Sequence, residues 1–141
     1  MIIMSVDYGK SRTGIAVCDK SEILASPVTV ISEKVLGTAA KKAAEEAQKL
    51  GAELIVVGLP RRTDGKEGET EQLAKEFARL LEKRTGIKCE LWDERFTTVS
   101  AHMALNEMNV TSKKRKEVVD ALAAVIILES YLEYRHNMNK T

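Results

Sequence analysis

The sequence predicts an α/β fold in which an antiparallel hairpin leads into a parallel centre. Three observations predict it. The chain opens on two apolar runs, Met1 to Asp7 (MIIMSVD) and Ile15 to Asp19 (IAVCD), separated by a glycine-bracketed turn. Further on, strand-like runs alternate with stretches of helical period, the pattern of helices packed on a sheet. One such run, Glu53 to Gly58 (ELIVVG), is continuously apolar after its first residue. That suits a parallel strand covered on both faces and reached through the preceding helix as a crossover.

Taken in order, five of the first six residues are apolar, which suits a central strand, and this strand ends in Asp7, a group expensive to bury. Gly9 and Gly14 bracket the turn and free it to take positive φ where needed, while Lys10 and Arg12 put positive charge beside the carboxylate. Tyr8 should point away from Asp7 if the strand continues that far. Ser26 to Ile31 (SPVTVI) alternates and carries β-branched residues, a third strand whose start Pro27 places at an edge. Thr38 to Leu50 brings Ala39, Ala40, Ala43, Ala44, Ala47 and Leu50 to helical spacing, and Gly51 closes it. After the ELIVVG strand comes a loop rich in turn formers and charge, LPRRTDGKEGE. Thr70 to Arg84 resumes the helical period with Leu73, Phe77, Leu80 and Leu81 inward, and Gly86 stops it. Ile87 to Trp92 alternates as a fifth strand and runs directly into Asp93, Glu94 and Arg95. Thr97 or Thr98 can cap a short helix through Met108, and Ser112 can cap the last one, which precedes a polar tail from His136 to Thr141.

A chain of 141 residues, 44% hydrophobic and 30% charged, is long enough to bury a core as one domain, 1–141. No apolar run approaches about 18 residues, so membrane spanning is not expected. The first residues lack a basic region and a small-residue cleavage site, which makes the cytoplasm the default location. Cys18 and Cys89 are far apart, with no CxxC and no histidine cluster, and are expected as reduced packing residues rather than a zinc site or a disulfide framework. The Gly9 to Gly14 turn lacks the Lys and Ser or Thr of a nucleotide-binding P-loop. With a net charge of +1 the chain has no global basicity, so any nucleic-acid contact must be a local patch. The candidates are Lys10, Arg12, Arg61, Arg62, Arg95 and the run Lys113, Lys114, Arg115, Lys116.

Three acidic features stand where local packing would prefer something else: Asp7, the pair Asp93 and Glu94, and Asp120. Sites in open α/β sheets gather beyond the carboxyl ends of strands, where Asp7 and the Asp93–Glu94 pair lie. Asp120 shares a helical stripe with Ala123, Ala124, Ile127 and Tyr131, which places it on the core-facing side and beyond the first turn where the helix dipole would stabilise an acid. The basic run in that first turn is likewise unfavourable for the helix alone. Converging carboxylates repel unless a cation joins them, and Mg²⁺ or Mn²⁺, hard ions held by carboxylate oxygens and water, suit the set. A pair of such ions can activate water and steady the leaving oxygen in phosphodiester cleavage. The competing explanation is that Asp120 pairs with Arg95 while Asp93 or Glu94 caps the next helix.

The segments DYGKSRTGIAV, VGLPRRTDGKEG, LWDERFTT and VVDALAAVIIL, in this order and at this spacing, resemble the YqgF family of Holliday junction resolvase-like proteins. The resemblance spans nearly the whole chain. It implies a ribonuclease H-like fold, a mixed five-stranded sheet with strand two antiparallel, flanked by helices. It also implies a metal-dependent nuclease that processes the 5′ end of pre-16S rRNA in ribosome biogenesis. Cleavage of four-way DNA junctions and a non-catalytic role in RNA binding and ribosome assembly are the alternatives. Either a monomer or a homodimer is compatible. By motif, Asp7 carries over as the first-strand metal ligand and Asp120 as the last-helix ligand, with the middle ligand in DER. Alternation puts Cys89, Leu91 and Asp93 on one face and Glu90, Trp92 and Glu94 on the other. The apolar face would turn Asp93 inward, whereas the family pattern prefers Glu94; both are retained. In related resolvases the middle acid ends the fourth strand, where this chain has Gly58. Lys10, Arg12, Arg61, Arg62 and Arg95 would contact phosphates, with Lys113 to Lys116 steering the strand.

Overall fold

The computed structural model describes residues 1–60, 68–94 and 112–139, and in the last stretch the side chains from 121 to 138. Its elements are β1 (Ile3–Asp7), β2 (Arg12–Cys18), β3 (Ala25–Ser32), α1 (Leu36–Leu50), β4 (Leu54–Leu59), α2 (Glu69–Thr85), β5 (Cys89–Asp93) and α3 (Ser112–Asn139). The strands form one mixed sheet in the order β3-β2-β1-β4-β5. β1 pairs antiparallel with β2 and parallel with β4, β2 pairs antiparallel with β3, and β4 pairs parallel with β5. β2 alone therefore runs against the other four. This is the mixed sheet expected from the resemblance.

Period two divides the core between the two faces of the sheet. Met4, Val6, Ile15, Ile55 and Val57 face α1 and α2, whose Ala40, Ala43, Ala47, Phe77 and Leu81 meet them. The alanine face of α1 lets that helix lie close to the strands. On the other side, Ile3, Ala16, Leu54 and Val56 face α3 through Ala124, Ile127, Leu128 and Tyr131. Burying side chains of this size contributes about 1.5–3 kcal/mol each, which makes the two-sided sheet the rigid frame of the molecule. Both α1 and α2 stop at glycines in the left-handed region, Gly51 at φ 69° and Gly86 at φ 72°. These are the stops that the sequence placed there.

Several boundaries differ from expectation, each for a local reason. β2 begins at Arg12, so Gly14 lies inside the strand opposite Asp7 rather than in the turn. Neither Gly9 nor Gly14 takes a positive φ. Gly9 is required instead by proximity, because a Cβ there would fall 2.3 Å from the Arg12 carbonyl oxygen. β3 is an edge strand, and its Pro27 pairs with Ala16 beside a register shift between Ile15 and Ala16, where a missing N–H is tolerated. The last helix continues through Asn139, past the point where a polar tail was expected. Arg135 holds that end, donating from Nε to Glu22 at 2.7 Å. The short helix expected from Thr97 or Thr98 to Met108 lies outside the described residues. Among the described residues, no helix is long and apolar enough to cross a membrane.

Candidate active site

The alternation of β1 sets the first acid. Ile3 and Ser5 face α3, so Asp7 does too, while Met4 and Val6 face α1 and α2. Tyr8 follows on the opposite side, buried with its ring 5.0 Å from that of Phe77. Tyr8 thus pins the chain just beyond Asp7 and leaves the carboxylate half-buried at the mouth of the α3 side.

β5 delivers the second acid by the same rule. Cys89 packs toward α1 and α2, whereas Glu90 and Trp92 turn toward α3. The Tyr131 hydroxyl donates to Glu90 at 2.5 Å. Trp92 sits with its ring 5.5 Å from Tyr131 and 5.4 Å from Tyr134, packed against the helix. Glu94, one alternation on, therefore emerges on the face of Asp7, and a hydrogen bond links the two carboxyl groups. Asp93 is paired along the backbone with Leu59 and belongs to the other face. Apolarity pointed to Asp93 in the sequence, but Leu91 on that face is exposed, while Glu90 and Trp92 pack against α3.

The third candidate is placed by its helix. α3 runs antiparallel to β1: the Ser5 hydroxyl donates to the Ala124 carbonyl at 2.6 Å, and Arg135 lies beside Glu22, which also meets the amino group of Met1. Residue 120 is four residues, about 6 Å, before Ala124, and Asp7 is two residues, about 6.6 Å, beyond Ser5. The turn that carries Asp120 is thus level with Asp7. The side chain of Asp120 lies outside the described set.

The basic candidates divide. Arg12 begins β2 on the face shared by Gly14 and Ala16, the Asp7 face, and is half-buried. Lys10 is exposed at the hairpin turn and pairs with Glu69 at 3.4 Å. Lys113, Lys114, Arg115 and Lys116 lie in the first turns of α3, their side chains outside the described set. Arg61, Arg62 and Arg95 are outside the described residues altogether, as is His102, while His136 is exposed near the end of α3.

Burial raises the Glu94 carboxyl above its ordinary 4.5; the hydrogen bond with Asp7 works against the rise and the Asp93 charge adds to it. Two carboxyl groups brought together on one face are a hard oxygen donor set that a divalent cation can join. Among the described residues, no group of three or more His, Cys, Asp or Glu is close enough to hold a metal ion, so the described donors are Asp7 and Glu94 alone. Sequence reasoning missed Ser5, a small polar residue in an apolar strand, and saw Gly58 only as a missing acid. Gly58 lies under this pair: a Cβ there would meet Glu94 Oε1 at 2.9 Å and Ile127 Cδ1 at 2.5 Å.

A five-stranded sheet with β2 alone reversed, acids at the carboxyl ends of β1 and β5, and a last helix laid across β1 defines a ribonuclease H-like α/β protein. In shape it matches Thermus thermophilus RuvC in complex with a Holliday junction substrate, with a TM-score of 0.62 at 12% identity over 95% of this chain and 96% of that one. It also matches the fowlpox virus Holliday junction resolvase, with a TM-score of 0.55 at 13% identity over 95% of this chain and 99% of that one. These likenesses define the fold. The sequence profile of the RuvX family, described as Holliday junction resolvase, matches residues 1–134, and the chain belongs to this family, also known as YqgF. Relatives named "Putative pre-16S rRNA nuclease" include one from Protochlamydia amoebophila, 44% identical over 94% of this chain and 93% of its own length. Another, from Carboxydothermus hydrogenoformans, is 39% identical over 96% of this chain and 98% of its own.

Proposed function

We propose that the chain is a metal-dependent nuclease that hydrolyses phosphodiester bonds of structured RNA, processing the 5′ end of pre-16S rRNA in the cytoplasm. The observation that carries this reading is the joined carboxyl pair of Asp7 and Glu94, on one face of the sheet and level with the turn of Asp120. Near full-length similarity to relatives named for that substrate supports the choice of RNA.

Asp7, Glu94 and Asp120 would hold Mg²⁺ or Mn²⁺; Asp93, on the opposite face, stands outside the set. When bound, the ions supply an activated water and charge stabilisation at the leaving oxygen. The chain's own residues do the rest. Asp7 and Glu94 would supply carboxylate oxygen donors. Arg12, on the Asp7 face, holds a substrate phosphate, with Arg61, Arg62 and Arg95 in the same role. Lys10 and the Lys113 to Lys116 run raise the local concentration of a polyanion at the mouth. The description of the family as a Holliday junction resolvase favours a second reading, cleavage of a four-way DNA junction by a two-fold dimer.

Purified protein and an Asp7→Asn variant, incubated with labelled precursor rRNA and a four-way DNA junction in Mg²⁺, Mn²⁺ or EDTA, test these readings. Metal-dependent cutting of the RNA, lost in the variant, is expected. Cutting of the junction alone favours the second reading. RNA binding that survives EDTA, with no cleavage under any condition, would make the protein an assembly factor and overturn the catalytic role.

A further inference from the structure

We infer that Gly58 is a positioning residue for Glu94: the side chain it lacks leaves the passage through which the Glu94 carboxyl crosses β4 to reach Asp7. The inference rests on the proposed role of the Asp7–Glu94 pair and assigns what builds it.

The strand order is the starting point. β4 lies between β1 and β5, so the backbones that carry Asp7 and Glu94 are separated by two strand spacings, about 9.6 Å. They nevertheless share a hydrogen bond. The line between them passes over β4 at one position. Ser5 pairs with Val56 and Val6 with Val57, which sets Asp7 beside Gly58, and Gly58 in turn pairs with Trp92, two residues before Glu94. Alternation from Leu54 and Val56 puts position 58 on the α3 face, the face of both acids. Any side chain at 58 would stand in the gap.

The geometry agrees with that count. A Cβ built on Gly58 would lie 2.9 Å from Glu94 Oε1 and 3.3 Å from Glu94 Cδ, and 2.5 Å from Ile127 Cδ1. Backbone conformation does not call for glycine here, since Gly58 is not among the residues with positive φ. Glycine inside a buried strand weakens it and marks a close approach. The approach in this case is by a side chain that the site needs.

The two conflicts are separable because Ile127→Val deletes the Cδ1 methyl and leaves the Glu94 contact in place. Mn²⁺ affinity by calorimetry, melting temperature, kcat and KM for precursor RNA are measured for wild type, Ile127→Val, and the double variant Gly58→Ala/Ile127→Val. Ile127→Val should bind Mn²⁺ within about twofold of wild type. The double variant should melt cooperatively, yet bind Mn²⁺ about 10–100-fold more weakly, the range seen when the support of a metal ligand is lost. Its kcat should fall with KM nearly unchanged. Wild-type Mn²⁺ affinity in the double variant overturns the inference. Should wild type itself bind no Mn²⁺, the proposed metal centre falls, and a crystal structure of the double variant decides the positioning role alone. A Glu94 carboxyl displaced from Asp7 supports it, and one still bonded to Asp7 overturns it.

Discussion

Ser5→Ala tests how α3 is seated against the site. The Ser5 hydroxyl is fully buried and donates to the carbonyl of Ala124, itself fully buried, at 2.6 Å. That carbonyl lies within α3 and keeps its helical N–H partner, so the loss is one hydrogen bond rather than an orphaned acceptor. A net bond of this kind is worth about 1 kcal/mol. Unfolding entropy of about 2.1 cal/mol/K per residue gives about 0.3 kcal/mol/K for a chain of this length, so the melting temperature should fall by about 3–4 °C. The bond holds α3 one turn from Asp120, and its loss should lower kcat by less than about tenfold, because the helix stays packed through Ile127, Leu128 and Tyr131. Calorimetric melting and initial rates on precursor RNA measure the two effects. An unchanged melting temperature would refute the reasoning, and so would a hundredfold loss of rate.

Glu94→Gln should abolish cleavage yet raise the melting temperature of the metal-free protein at pH 8. Burial raises the Glu94 carboxyl in the folded state, so the folded chain holds that proton more tightly than the unfolded one and loses stability as pH rises through the raised value. Glutamine has no proton to lose, so melts in EDTA should show a gain at pH 8 that disappears below about pH 4. For the same reason Mn²⁺ affinity should fall as pH is lowered through the raised Glu94 value, at a higher pH than an ordinary glutamate would give. Calorimetric titrations across pH 5 to 8 follow this loss, at up to tenfold per pH unit. Glu22→Gln should act with the opposite sign. The Arg135 hydrogen bond holds the Glu22 carboxyl below its ordinary 4.5, so its stabilisation is present above that value and lost as pH falls through the lowered one. The variant should melt about 3 °C lower than wild type at pH 7, the effect of about 1 kcal/mol, and equal it in strong acid.

Much of the frame was legible because its signals are local. The alanine spacing of α1, the apolar run of β4, and Gly51 and Gly86 each state their role within one element. The acids at strand ends and on the Asp120 stripe could be named for the same reason. What the sequence did not hold was relation across elements. Ser5 finds its partner 119 residues away, and nothing in MIIMSVD announces that contact. The choice between Asp93 and Glu94 depended on which face of β5 meets Asp7, and Leu91, on the more apolar face, turns out exposed. Gly58 read as an acid missing from strand four, because sequence shows the absence of a side chain but not the neighbour that enters its space.

The most direct test of the central claim is the anomalous difference map of a crystal grown with Mn²⁺. A peak coordinated by Asp7 and Glu94, with the carboxyl–carboxyl hydrogen bond replaced by bonds to the ion, is the result this account predicts. Protein that cleaves RNA in Mn²⁺ while the map shows Asp7 and Glu94 still bonded to each other, and the ion elsewhere, would contradict it.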